Sequence, residues 1–184
     1  MRTSYIFLAE GFEEIEALTV VDVLRRAGID VKTVSITPLH NVRGAHGIEV
    51  NVDCLFADTD FSDAEWLICP GGLPGSTNLA DFEPLGQLLK AHNRGIAAIC
   101  AAPGVVLAPL GLLDGKEATC YPGFEEACTL GGASMRKGSG VVAVDNLITG
   151  AGPALALPFG LAIVAATVGE EAAEKVAAGM LTRF

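Results

Sequence analysis

Two features of this chain bring together residue types that could do chemistry: a cysteine at a corner and an acid in an apolar helix face. The run Gly95-Ile96-Ala97-Ala98-Ile99 carries no charge and reads as a strand buried on both faces of a parallel sheet. Ala101, Ala102 and Pro103 follow and suit the first turn of a helix, where a missing N–H costs nothing. This places Cys100 where strand becomes helix, at the carboxyl end of the sheet, where open α/β folds bind their ligands. A helix N-terminus behind the sulfur would favour thiolate over thiol. The competing reading of the same residue is an inert buried cysteine.

The acid is Glu16. A helix is predicted from about Glu13 to Ala27, closed by Gly28. At 100° per residue, Ala17, Val20, Val23, Leu24 and Ala27 share one face, and Glu14, Asp22, Arg25 and Arg26 share the other. Glu16 falls inside the apolar face. It reads either as a first-turn acid reaching solvent or as a partly buried carboxyl with a raised pKa, suited to proton transfer. Pro70-Gly71-Gly72-Leu73-Pro74-Gly75 adds a third element, directly after the apolar run Trp66–Cys69. Adjacent glycines let a backbone approach a ligand closely. No Gly-Lys-Ser follows, so this is not a phosphate loop.

The elements that must position these residues alternate. Strands are predicted at Ser4–Ala9, Val31–Ile36, Trp66–Cys69, Gly95–Ile99 and Glu117–Cys120, and a pair at Val141–Val144 and Leu147–Thr149 turns at Asp145-Asn146. Asn41–Cys54 reads as a small hairpin. Further helices are predicted at Pro84–His92, from Pro103 to about Leu113, at Gly123–Leu130, Ala154–Val168 and Glu170–Thr182. Such alternation implies one mostly parallel sheet with helices on both faces, in a single domain over residues 1–184.

Composition narrows the function. Half of the 184 residues are hydrophobic (51%) and only 18% are charged, enough for a sizeable core. The net charge is −10 and the only basic pair is Arg25-Arg26, which leaves nucleic-acid binding without electrostatic support. Five cysteines without a CxxC pair fit a reducing compartment, not a disulfide framework or a metal site. The N-terminal apolar run, Tyr5–Ala9, is too short for a signal peptide, so a cytoplasmic location is expected. Two uncharged runs, 95–113 and 146–169, are each interrupted by Gly and Pro, and read as buried strand, turn and helix, not as membrane spans.

Taken together, Gly11-Phe12-Glu13-Glu14-Ile15-Glu16, Asp22-Val23-Leu24-Arg25-Arg26-Ala27-Gly28, Pro70-Gly71-Gly72, Ala97-Ala98-Ile99-Cys100-Ala101-Ala102-Pro103 and Gly152-Pro153 resemble the DJ-1/ThiJ/PfpI superfamily in the right order over nearly the whole chain. The resemblance is nearest to the DJ-1/ThiJ branch. It implies a flavodoxin-like three-layer α/β/α sandwich and a homodimer. It makes Cys100 the nucleophile-elbow cysteine and Glu16 the acid that hydrogen-bonds its sulfur. It also places the amides of Gly71, Gly72 and Ala101 around an oxyanion hole. Some members carry a His near the cysteine in a Thr-His-Pro-like segment; here that segment is Cys120-Tyr121-Pro122, which makes Tyr121 the counterpart. PfpI-type peptidases carry a His directly after the cysteine, where this chain has Ala101. Related glutamine amidotransferases need a downstream His, whereas His40, His46 and His92 all lie upstream. Neither peptidase nor amidotransferase activity is therefore expected. In relatives His46's segment lies near the dimer interface, which points to a structural role.

The resemblance implies one of two functions. In the first, Cys100 and Glu16 act on a small aldehyde or ketoaldehyde, as a glyoxalase or deglycase needing no metal and no organic cofactor. In the second, Cys100 oxidises to a sulfinate and the protein senses oxidative stress or acts as a chaperone, with little turnover. Thiamine-thiazole biosynthesis, a role attached to the ThiJ label, has no phosphate-binding motif to support it.

Overall fold

The computed structural model describes residues 2–136 and 138–182. The chain runs β1 (Ser4–Leu8), α1 (Glu14–Arg26), β2 (Val31–Ser35), β3 (Asn41–Arg43), β4 (Glu49–Asn51), β5 (Cys54–Leu55), β6 (Trp66–Cys69), α2 (Gly75–Asp81), α3 (Glu83–Ala91) and β7 (Gly95–Ile99). It continues with β8 (Glu117–Ala118), α4 (Glu125–Leu130), β9 (Ser134–Met135), β10 (Val141–Val144), β11 (Leu147–Gly150), α5 (Ala156–Val168) and α6 (Glu170–Gly179). Seven strands form the main sheet in the order β10-β11-β7-β6-β1-β2-β5. Every pairing in it is parallel except β10 with β11.

Period-two alternation sends the strand residues to two cores. Ile6, Leu8, Ile68, Ala97 and Ile99 pack beneath α1, α5 and α6 with Val20, Leu24, Phe159 and Ile163. Tyr5, Phe7, Leu67, Ile96 and Ala98 pack on the other face with Leu79 and Leu85 of α2 and α3. The fold is thus a three-layer α/β/α sandwich with a mostly parallel central sheet, as the alternating pattern predicts. Among the described residues no helix is long and apolar enough to cross a membrane.

Several features differ from the sequence reading: β5, at the end of the stretch read as a hairpin, joins the main sheet beside β2, and β9 is an unpredicted strand. Helix α2 starts at Gly75, the last residue of the glycine loop, and runs through a stretch for which no element is predicted. The helix predicted from Pro103 to Leu113 is instead one π-helical turn, Pro103–Leu107, then a 3-10 turn, Ala108–Leu110, closed by Gly111 at φ +73°. Pro109 explains the break: it offers no N–H to Val105 and its ring would meet that carbonyl. Glu14, assigned by the helical wheel to the solvent face, is buried. The β3–β4 hairpin folds over it, so the cover comes from tertiary structure that a single-helix pattern does not contain.

The strand order reverses between β1 and β6, because the chain leaves β1 in one direction across the sheet and later adds β6 and β7 in the other. The crevice at the carboxyl ends of such neighbours is where this architecture holds ligands. Three segments meet there: the loop after β1 with the start of α1, the glycine loop after β6, and the corner after β7.

Candidate active site

Cys100 follows β7 directly and adopts φ +65°, one of few non-glycine residues with a positive value. That conformation costs of order 1–3 kcal/mol and persists only when the surroundings fix it. Its amide donates to the Gly150 carbonyl at 2.8 Å, and its own carbonyl accepts the Tyr121 amide at 2.8 Å. The sharp turn lifts the side chain out of the sheet to the edge of the crevice, where the residue keeps 9% of its surface exposed. The amides of Ala101 and Gly72 both point at the sulfur.

Glu16 is fully buried in the first turn of α1. Its Oε2 accepts the Gly71 amide at 2.7 Å, while Oε1 has no partner among the described residues. The carboxyl also meets the Cys100 thiol. Burial drives its pKa up to about 7, against the opposing pull of the bonds from Cys100 and Gly71. Burial likewise pushes the Cys100 thiol up to about 12, reinforced by the Glu16 charge and partly offset by the Ala101 and Gly72 amides. Acid and thiol titrate as a pair: one proton leaves near neutrality and the second is held far above it. The expected thiolate-favouring helix is reduced to a single π turn, and burial, reinforced by the neighbouring carboxylate, outweighs it.

The glycine loop is built for close approach. A Cβ on Gly71 would lie 2.5 Å from Glu16 Oε2 and 3.0 Å from the Cys100 sulfur. Gly72, at φ +89°, packs against the backbone of Gly11, Phe12 and Glu13. The Glu13 amide closes the arrangement by donating to the Gly71 carbonyl at 2.9 Å. The structure therefore brings Cys100, Glu16, Gly71, Gly72 and Ala101 together. It corrects one expected role: the Gly71 amide is committed to Glu16, which leaves Gly72 and Ala101 as the donors at the sulfur. Tyr121 borders the site through its backbone, and its exposed ring lies over Gly152.

The sequence reading missed a second constellation. Glu14 Oε1 accepts the His46 amide at 2.8 Å and, more weakly, the Ile48 amide at 3.4 Å, and its Oε2 meets His46 Nδ1 at 2.9 Å. Glu13 approaches the same nitrogen at 3.7 Å. Burial alone would raise the Glu14 pKa, but the bonds from His46, led by its side chain, leave it lowered. His46 is raised in turn, first through its bond to Glu14. Only the 32-residue contact between α1 and the hairpin creates this pair, and no local pattern announces it.

A fold with a strained cysteine at the end of β7, over a buried acid held by a glycine-loop amide, defines a class of cysteine-centred α/β proteins. The chain belongs to the DJ-1/PfpI family, whose model matches residues 2–166. It is 36% identical over 179 residues to DJ-1 homolog B of Arabidopsis thaliana, covering 96% of this chain but 40% of that protein, so this chain spans less than half of that relative's length. A Caenorhabditis elegans protein named a glutathione-independent glyoxalase is 34% identical over 165 residues, covering 88% of this chain and 86% of its own. The solved structure of oxidised Toxoplasma gondii DJ-1 superposes with a TM-score of 0.92 at 33% identity, covering 100% of both chains.

Proposed function

We propose that the protein is a cysteine-dependent enzyme acting on small reactive carbonyls, with Cys100 as nucleophile and Glu16 as the acid–base group. The observation that carries this reading is the buried Glu16 carboxyl in contact with the Cys100 thiol, poised near neutrality beneath two unspent amides. A general base works best with a pKa near the operating pH.

For methylglyoxal the steps balance without a cofactor. The Glu16 carboxylate takes the thiol proton as the sulfur attacks the aldehyde carbon, and the C=O π electrons move onto oxygen. The Gly72 and Ala101 amides hold that oxyanion, and Glu16 returns the proton to it, giving a hemithioacetal. Glu16 next removes the C1 hydrogen as a proton, giving an enediolate, and returns it to C2 while the C1 hydroxyl proton passes to the C2 oxygen, which leaves a thioester. Water adds to the thioester, the thiol departs with a proton, and lactate is released. The C. elegans relative's name supports this substrate class. Tyr121 borders the crevice, and we assign it to substrate contact.

A homodimer completes the proposal. Ile15 and Ile48 are 55% and 52% exposed on α1 and the neighbouring hairpin, and the Ile48 amide reaches Glu14 of the same helix. A second copy is the occupant we propose for this apolar face. The five free cysteines suit the reducing cytoplasm.

The test is purified protein with methylglyoxal, reading release of the hydroxy acid. Wild type is expected to turn over and Cys100→Ser to be inactive. Equal, low rates in both would leave the family's other role, oxidation of Cys100 with little turnover, as the function.

A further inference from the structure

Two of the five cysteines, Cys120 and Cys128, take no part in the chemistry above. The local fold brings them together. A turn closed by the Phe124 amide on the Tyr121 carbonyl (3.1 Å) leads into α4, where the Cys128 amide bonds the Phe124 carbonyl (3.1 Å). Both side chains enter the same core, and the two thiols interact with one another there. Cys120, through its bond to Cys128 and through burial, holds its proton well above the usual thiol range, while that same bond lowers Cys128. Their access differs. Cys128 is completely buried, whereas Cys120 lines a cavity of about 490 Å³ together with Pro122, Met135, Arg136 and Leu155.

We propose that Cys120 and Cys128 are a disulfide-forming pair, a modification site for hydroperoxides distinct from Cys100. Cys120, at the cavity wall, meets the oxidant, and Cys128, behind it, closes the bridge. In the first step Cys120 sulfur attacks the terminal peroxide oxygen, and its thiol proton passes to the departing oxygen. The O–O bond breaks, Cys120 becomes a sulfenic acid, and the peroxide is reduced to an alcohol or to water. In the second step Cys128 sulfur attacks Cys120 sulfur, the S–O bond breaks, and hydroxide leaves as water with the Cys128 proton. Two thiols have then lost two electrons to one peroxide. A sulfenic acid with a neighbouring thiol condenses in this way. Helix α4 is only six residues long, between Gly123 and Gly131-Gly132, so the movement needed is confined to one short element. The inference does not depend on the carbonyl chemistry of Cys100.

Trypsin leaves both cysteines on one peptide, Glu117–Arg136, because no Lys or Arg lies between them. Wild type and Cys100→Ser are treated with graded hydrogen peroxide, alkylated with iodoacetamide and digested. Expected in both is joint loss of alkylation at Cys120 and Cys128, with the peptide lighter by two hydrogens and restored by dithiothreitol. Cys128→Ser should form no bridge and should instead yield a dimedone-trapped sulfenic acid on Cys120. The proposal is overturned if both thiols stay alkylatable at peroxide doses that fully oxidise Cys100 in wild type. It is equally overturned if Cys120 bridges to Cys100, or if only one of the two thiols is lost.

Discussion

The Gly71 amide lies 2.7 Å from Glu16 Oε2, so the loop after β6 holds the acid of α1 in place for a sulfur that follows β7. A methyl group at position 71 would sit 2.5 Å from Glu16 Oε2 and 2.6 Å from Cys100 Cβ. Gly71→Ala is expected to cost about 1–3 kcal/mol by overpacking and to lower carbonyl turnover far more than its effect on stability. Gly86→Ala is the control: the new methyl meets only Leu110 Cδ2, at 3.4 Å, within α3, and a gain of about 0.4–1 kcal/mol is expected. Urea unfolding and turnover on the same preparations check both.

Glu16 should make the protein less stable as pH rises. Its pKa goes from an ordinary 4.5 to about 7 on folding, so the folded state keeps a proton that the unfolded state releases. Stability is full below about pH 4.5, falls through the window up to 7 and stays lower above it. The window corresponds to roughly 3 kcal/mol at 1.36 kcal/mol per unit. Glu16→Gln is therefore expected to melt above wild type at pH 8 and together with it at pH 4. Thermal melts across that range would refute the assignment if the two curves stayed parallel.

Glu14, two residues earlier in the same helix, should behave oppositely. Despite burial, the bonds from His46 lower the Glu14 pKa, and the bond to Glu14 raises that of His46. Glu14→Gln is expected to return the His46 pKa toward its ordinary value and to speed hydrogen exchange of the His46 and Ile48 amides. An NMR titration of the imidazole protons reads the first effect, and exchange rates read the second.

Peptide and glutamine hydrolysis are expected to be absent. No histidine is among the groups that act on the Cys100 sulfur; His46 is bound to Glu14, and His40 Nδ1 lies against the Val52 carbonyl at 3.4 Å. An amine leaving group thus finds no imidazolium to protonate it. Casein and glutamine assays with wild type and Cys100→Ser should be indistinguishable.

The parts legible in the sequence are those written in local periodicity. The charge-free run before Cys100 marks a central strand, and the break in the apolar face of α1 singles out Glu16. What escaped depends on contacts between distant segments. The burial of Glu14 comes from a hairpin some thirty residues away. The assignment of the Gly71 amide to Glu16 is a matter of geometry between two loops. The break after the π turn that follows Cys100 comes from Pro109, which cannot continue a regular helix. Burial of the sulfur, with a carboxylate beside it and only a shortened helix behind it, explains why the thiol holds its proton where the sequence suggests a thiolate.

The most direct test of the account compares two readouts on Glu16→Gln: iodoacetamide labelling of Cys100 against pH, and methylglyoxal turnover. The Glu16 charge helps to raise the thiol pKa, so without it Cys100 should label at lower pH than in wild type. Turnover should nonetheless fall by about 10²–10⁴-fold, the range for loss of a general acid–base group. A Glu16→Gln protein that turns over methylglyoxal at the wild-type rate, with Cys100 labelling unchanged, would contradict the pairing of these two residues as nucleophile and proton carrier.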